Sequence, residues 1–410
     1  DYAPYFASVT IENYLILRDY NCDGRMDLFT GNVLGIKVYT NLADAGEVPV
    51  WKPFIFYTPT GGKSAVLLSK GTTTKSNVAL QPDDFPALVD ADGDGDLDLF
   101  NVIYPTGTTI EYHRNFSMER YGVCDSLDFE RQTRRWGGVS ECVCGTFAFN
   151  DAPCPANGRT QHAGGKSLTA MDVDGNGVMD LLLSEAECNR IFLLRNEGDL
   201  ENPVVTTASV FPTGTTGINI FPYPSAYYED VDFDGVKDLL ASPNIFSRTY
   251  LNTDLENSVW YYKNTGTTAA PVFSFMQRDF LQDSMIDVGD NAVPVLADLD
   301  SDGDADLLVS RYTSANLVSS VYAYENTGDN LSPVFTLVNE DFLNFSTYPF
   351  YNVKIHLADM NNDGRTDFVF TATNISNGVT SLYYIPNATT TGYDWSLADV
   401  QLVTLPEPIS

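Results

Sequence analysis

The chain is poor in positive charge. Its 410 residues carry 23 Lys and Arg against 55 Asp and Glu, a formal net charge of −32. Nucleic acid needs a basic footprint on its partner, so that partner class is excluded, and anionic membrane surfaces are disfavoured in the same way. No run of 18 apolar residues occurs, so no segment reads as a membrane-spanning helix. Histidine is scarce too. His113, His162 and His356 lie far apart, none in a nucleophile or metal motif, and each reads as a packed or surface side chain. G-x-S-x-G, H-E-x-x-H and a phosphate-cradling loop are missing. "GGKS" at 61–64 and again at 164–167 lacks the Walker spacing and reads as a turn. Long Ala/Glu/Lys/Leu stretches are also missing, while Tyr, Phe, Val and Thr are plentiful, which makes the chain β-rich. With 43% hydrophobic and only 19% charged residues, disorder is not indicated. The chain opens at Asp1 with no signal peptide, as expected of a processed or excised piece.

Six cysteines are present: Cys22, Cys124, Cys142, Cys144, Cys154 and Cys188. Four of them, Cys124, Cys142, Cys144 and Cys154, crowd into a stretch that interrupts the pattern elsewhere. An even count favours disulfides stapling a long loop. Zinc is the rival, but the C-x2-C spacing is absent and His162 is the only nearby imidazole.

What the chain does have is a repeat. "DYNCDGRMD" at 19–27 returns as "DADGDGDLD" at 90–98, "DVDGNGVMD" at 172–180, "DVDFDGVKD" at 230–238, "DLDSDGDAD" at 298–306 and "DMNNDGRTD" at 359–367. Successive starts are 71, 82, 58, 68 and 61 residues apart, and the longest interval holds the cysteine cluster. Every copy obeys D-x-[DN]-x-[DN]-G-x-x-D. Side-chain oxygens at positions 1, 3, 5 and 9 suit a hard cation that takes six to eight oxygens, and glycine at position 6 permits the sharp turn. The expected side-chain ligands are Asp19, Asn21, Asp23 and Asp27; Asp90, Asp92, Asp94 and Asp98; Asp172, Asp174, Asn176 and Asp180. The later loops supply Asp230, Asp232, Asp234 and Asp238; Asp298, Asp300, Asp302 and Asp306; Asp359, Asn361, Asp363 and Asp367. Position 7 adds a backbone carbonyl from Arg25, Asp96, Val178, Val236, Asp304 and Arg365, which leaves the Asp96 carboxylate to solvent. Mg²⁺ demands a stricter octahedron, so the expected ion is Ca²⁺, about six per chain.

The EF-hand opens in the same way but needs a Glu at position 12 and flanking helices. Position 12 here is Thr30, Asn101, Leu183, Ala241, Val309 and Phe370, none acidic, and short apolar runs such as "DLLLS" and "DFVFT" follow the loops as buried strands. An apolar segment precedes each loop, a strand ending in Asn comes after it, and several copies add a segment opening with Pro and an aromatic. Four short strands in each repeat make a β-propeller blade.

The loops, "YENTG…PVF" and the spacing resemble FG-GAP/VCBS repeats, the calcium-loop blades of integrin α-subunit heads and many bacterial surface proteins. Residues 162–196 are most similar to exported repeat proteins of the Bacteroidetes. The resemblance implies an all-β propeller of four-stranded antiparallel blades, six by the loop count with seven as the alternative, together with bound calcium and an extracellular or cell-surface address. Residues 1–405 would form one propeller domain with a Cys-containing insertion at about 118–160, and 406–410 would begin a linker. The resemblance does not imply one activity, because fold alone does not fix function.

The side-chain ligand positions hold 21 of the 55 acidic residues, and six divalent ions would move the formal charge from −32 to −20. Asn115, Asn330, Asn344, Asn374 and Asn387 head N-x-[ST] sequons. Asp125-Ser126-Leu127 and Asp283-Ser284-Met285 resemble the Bacteroidetes O-glycosylation signal, pointing to Ser126 and Ser284. The function expected is non-enzymatic: a calcium-stabilised module for adhesion, ligand binding or assembly on a surface or filament. Its partners would be a surface glycan, a protein or copies of itself. A secreted polysaccharide-active enzyme is the alternative, since a carboxylate pair is recognised only by its separation in space.

Overall fold

The structure, a computed structural model, describes residues 3–44, 46–155, 165–245, 253–283, 285–289, 291–313 and 317–404. His162, Ser284 and the expected linker at 406–410 lie outside the described residues. The architecture is all-β; the described residues include one α-helix, Ser117–Tyr121, and a few short 3-10 turns.

Six sheets follow the six repeats, antiparallel except for one strand pair in the second. The first joins Leu15–Arg18, Asp27–Asn32, Gly35–Asn41 and Trp51–Pro53 in chain order. The third runs Lys166–Met171, Asp180–Glu185, Ile191–Leu194, Ala208–Phe211, and the fourth Pro224–Glu229, Asp238–Pro243, Trp260–Asn264, Phe273–Gln277. The fifth contains Val293–Ala297, Asp306–Thr313, Val318–Asn326 and Phe335–Asn339; the sixth contains Phe350–Ala358, Asp367–Asn374, Thr380–Ile385 and Gln401–Leu402. The second sheet is built on Ala87–Val89, Asp98–Val102, Ile110–Asn115 and Phe129–Thr133. It is widened to six strands by Leu68–Lys70, which pairs in parallel with Phe129–Thr133, and Lys75–Asn77. In every sheet the second strand starts at the last Asp of the acidic loop. Two of these second strands, Asp98–Val102 and Asp180–Glu185, are buried along their whole length, as an apolar run without alternation requires.

The chain forms two compact units, residues 1–253 with 258–280 and residues 254–257 with 281–410. In the first unit the opening strands of the sheets converge. Phe85, just ahead of Ala87–Val89, meets Tyr14 and Tyr227 edge-on at 5.6 and 5.7 Å. Its backbone exchanges hydrogen bonds with the third sheet, Phe85 N to Lys166 O and Leu168 N to Phe85 O. Thr169 Oγ1 donates to Ala226 O at 2.6 Å, and Arg18 pairs with Glu229 at 2.7 Å. The second unit packs its two sheets around Leu308, Val321, Phe345, Phe350, Phe368, Phe370 and Trp395.

All six cysteines are bonded: Cys22 to Cys124, Cys142 to Cys154 and Cys144 to Cys188. The staples therefore reach beyond the insertion, tying it to the first acidic loop at one end and to the turn after Asp180–Glu185 at the other. The sequence had shown only the local crowding. The "GGKS" expectation holds in part: Gly61 and Gly62 lie in the turn that joins Phe56–Tyr57 to Lys63–Ser64, whereas Lys166 and Ser167 open the first strand of the third sheet. Apolar neighbours on the second strand and the bridge to Phe85 draw that segment into the sheet. The Cys144–Cys188 bridge spans 44 residues, so replacing both residues by Ser should cost on the order of 3–4 kcal/mol through chain entropy. A comparison of denaturant midpoints under non-reducing conditions checks this.

Candidate cation loops

Each acidic loop is wound by its own side chains around the backbone. The position-1 Asp accepts from the position-6 glycine amide in every copy: Asp19 from Gly24 at 2.7 Å, Asp90 from Gly95 at 3.1 Å, Asp172 from Gly177 at 2.9 Å. Asp230, Asp298 and Asp359 do the same at 3.0, 3.2 and 2.8 Å. Position 5 accepts from the amide at position 7, as Asp94 does from Asp96 and Asp302 from Asp304, both at 3.0 Å. The position-6 glycines have φ between +81° and +102°, left-handed backbone that glycine adopts without strain. Position 4 is left-handed as well, occupied by Cys22, Phe233, Ser301 and Asn362 in the copies without glycine, a constraint the sequence does not display.

Position 9 turns inward. Asp27, Asp98, Asp180, Asp238 and Asp367 are fully buried and Asp306 nearly so. Each accepts from the backbone amide of an Asn that ends the third strand or follows it by two residues: Asp27 from Asn41, Asp98 from Asn115, Asp180 from Asn196, Asp238 from Asn264, Asp306 from Asn326 and Asp367 from Asn387, at 2.6–3.0 Å. The other oxygen accepts from the amide at loop position 2 in five copies, such as Leu299 N at 2.8 Å. That Asn then spends its own side-chain oxygen on two further amides, one in the following turn and one at the approach to the fourth strand. Asn264 Oδ1 accepts from Gly266 and Val272 at 3.0 and 2.9 Å, and Asn326 Oδ1 from Gly328 and Val334 at 3.1 and 2.9 Å. A six-fold Asp–Asn relay thus ties loop, third strand and fourth strand together. The recurrent strand-final Asn was its sequence signal.

The relay and the helix beside loop 90–98 correct two expectations. Asn115 and Asn387 are buried and committed to it, so neither sequon can carry a glycan. Asn330 and Asn344 are exposed, Asn374 is half-buried, and Ser126 is half-buried with its hydroxyl on Asp125 at 3.3 Å. The Asp96 carboxylate does not face solvent either. It is 1% exposed and accepts from Met118 N at 2.9 Å, at the start of the Ser117–Tyr121 helix that covers this loop.

Carboxylates converge at the loops. Asp90, Asp92 and Asp94; Asp172, Asp174 and Asp180; Asp230, Asp232 and Asp234; and Asp298, Asp300 and Asp302 each bring oxygens within 4.8 Å of one another, and Asp94 and Asp96 do so with Glu119. Burial pushes Asp98 up to about 8, and Asp27, Asp96 and Asp180 to about 6; the neighbouring aspartates add to the shift. Buried oxygens Asp94 Oδ2, Asp96 Oδ1 and Asp298 Oδ1 have no hydrogen-bond partner. Orphaned, crowded, desolvated carboxylates are the donor set a divalent cation satisfies. Basic side chains lean on most loops: Arg25 on Asp23 at 2.5 Å, Arg114 on Asp92 at 2.5 Å, Arg195 on Asp174 at 3.7 Å, Lys263 on Asp234 at 3.0 Å and Arg365 on Asp363 at 2.6 Å. Among the described residues none pairs with loop 298–306, where Glu325 stands in the place held by Arg114, Arg195 and Lys263.

Of the histidines, His113 is buried, its Nδ1 2.7 Å from Ser69 Oγ and its Nε2 3.6 Å from Glu111, and burial holds its pKa below the usual value. His356 is exposed. Beside loop 90–98 a polar cleft of about 340 Å³ is lined by Tyr112, Arg114, Gln132, Arg135, Asp151 and Glu201.

Replacing Asn264 by Ala strips two amides of their acceptor and should cost about 1–3 kcal/mol for each one left buried. Asn264→Asp, which keeps an acceptor, should cost less, and exposed Thr268→Ala should stay within about 0.5 kcal/mol. Denaturant midpoints of the three variants check the order.

Comparison with curated proteins finds no match to this chain. The family model for the FG-GAP-like repeat matches residues 298–370, a span that runs from the fifth acidic loop through the sixth to Phe370. That match falls on two of the six copies of one loop-and-sheet unit and identifies an FG-GAP-like repeat in that part of the chain.

Proposed function

We propose that the chain is an extracellular, calcium-stapled β-propeller whose six sheets are its blades, and that it presents a surface for adhesion, ligand binding or assembly without catalysing a reaction. The observation that carries this reading is the six-fold acidic loop, tied each time to its sheet by the Asp–Asn relay. A group used identically in every repeat serves the architecture, whereas a catalytic group distinguishes one repeat from the rest. Calcium would be held by positions 1, 3 and 5 with the position-7 carbonyl, and in the third loop by Asp180 as well. The ion supplies positive charge and oxygen coordination where the fold leaves carboxylates desolvated.

Three bonded cysteine pairs support an oxidising, extracellular address. No helix among the described residues is long and apolar enough to cross a membrane. The converging first strands of the first unit support a radial arrangement. A surface glycan, a protein or another copy of the chain would be the partner. The cleft beside loop 90–98 combines an aromatic edge, guanidinium groups and carboxylates at a size suited to a small ligand.

Because ions that bind only the folded state stabilise it by mass action, chelation should lower the melting temperature by on the order of 10 °C, with recovery on adding millimolar calcium. Differential scanning calorimetry with and without EGTA reads this; an unchanged transition would refute the staple. Loop 298–306, with carboxylates at positions 1, 3 and 5 and no basic partner among the described residues, should hold its ion most tightly. Asp298→Asn should then shift the high-affinity phase of a calcium titration, while Asp230→Asn, in the loop where Lys263 already stands, should spare it.

A further inference from the structure

Three charged side chains meet inside the first unit, away from the acidic loops. Lys166, Glu141 and Glu185 are each 5% exposed. Lys166 and Glu185 are directly paired across the first two strands of the third sheet. Glu141 arrives from the insertion, on the hairpin Ser140–Val143 with Thr146–Ala148. Lys166 Nζ contacts Glu141 Oε2 and lies 3.3 Å from Glu185 Oε2. Glu141 Oε1 and Glu185 Oε1 are buried without a hydrogen-bond partner. Val102, Ile110, Val139, Phe147, Leu183 and Leu194 line the small cavity alongside. Two disulfides hold the hairpin in place: Cys142, next to Glu141, bonds Cys154, and Cys144 bonds Cys188, three residues beyond Glu185.

As a set of ions this arrangement is costly. One ammonium cannot neutralise two carboxylates, and each buried charge carries a desolvation penalty of several kcal/mol. Burial, offset in part by Lys166, raises the Glu141 carboxyl towards its neutral form. A buried lysine held against a carboxyl group beside a mostly apolar cavity, with a second carboxyl next to it, has the parts for amide formation.

We propose that Lys166 and Glu141 join in an intramolecular isopeptide bond, with Glu185 moving the protons. With Glu141 protonated and Glu185 ionised, the Lys166 ammonium passes one proton to Glu185. The freed Nζ lone pair attacks Glu141 Cδ, while Glu185 protonates the carbonyl oxygen and recovers the proton shed by nitrogen. Glu185 then protonates a hydroxyl of the tetrahedral intermediate, the Cδ–O bond breaks and water leaves. The remaining hydroxyl returns its proton to Glu185 as the amide carbonyl forms. The Nζ–Cδ bond has replaced a Cδ–O bond, one water is released and Glu185 ends neutral. No oxidant or added reactant is required, and the pocket loses its ions.

The full chain, reduced and unfolded, should weigh one water less than its sequence. Trypsin should fail to cut after Lys166, giving a branched peptide that joins 136–159 to 160–190. Lys166→Met and Glu185→Gln should both show the full sequence mass. The readout is a covalent mass, so it stands whether or not a variant folds well and whether or not calcium binds. A wild-type chain of full mass that is cut after Lys166 would overturn the bond and leave an ion triad. A Glu185→Gln chain that still lacks one water would overturn the role given to Glu185.

Discussion

The buried aspartate at loop position 9 is the interaction on which the rest depends. It sits where the loop ends and the second strand of each sheet begins, and it accepts from the amide of an Asn at or just past the end of the third strand. Because that Asn in turn holds the next turn and the approach to the fourth strand, one carboxylate fixes the geometry of most of a sheet. Burying such a group costs free energy unless its oxygens are satisfied, and here they are satisfied by backbone amides of the elements being joined.

This arrangement separates two jobs that the acidic motif merges in one sequence. Position 9 builds the sheet. Positions 1, 3 and 5 wind the loop and leave oxygens crowded at the surface, where Arg114, Lys263 and their counterparts offset part of the charge. The proposed calcium ions would complete that compensation. The large negative net charge owes much to repeating one acidic loop six times.

Much of this was legible because the motif is local and periodic. D-x-[DN]-x-[DN]-G-x-x-D fixes the turn, the apolar run after it fixes a buried strand, and six copies fix the repeat. What the sequence hid depends on contacts between segments far apart in the chain. Asp96 looked solvent-facing until the Ser117–Tyr121 helix covered it. Asn115 and Asn387 matched a glycosylation pattern that carries no information about burial. Cys22 and Cys188 pair across 102 and 44 residues, which spacing does not reveal. Lys166, in a fragment that resembled a turn, acquires its surroundings only when the insertion folds back onto the third sheet.

Counting bound ions tests most directly whether the six loops are cation staples. Native mass spectrometry of the folded chain in millimolar calcium should find about six bound ions, one for each acidic loop, with the complement falling stepwise as ligand aspartates are replaced by Asn. A folded chain that binds no calcium under those conditions would contradict the account.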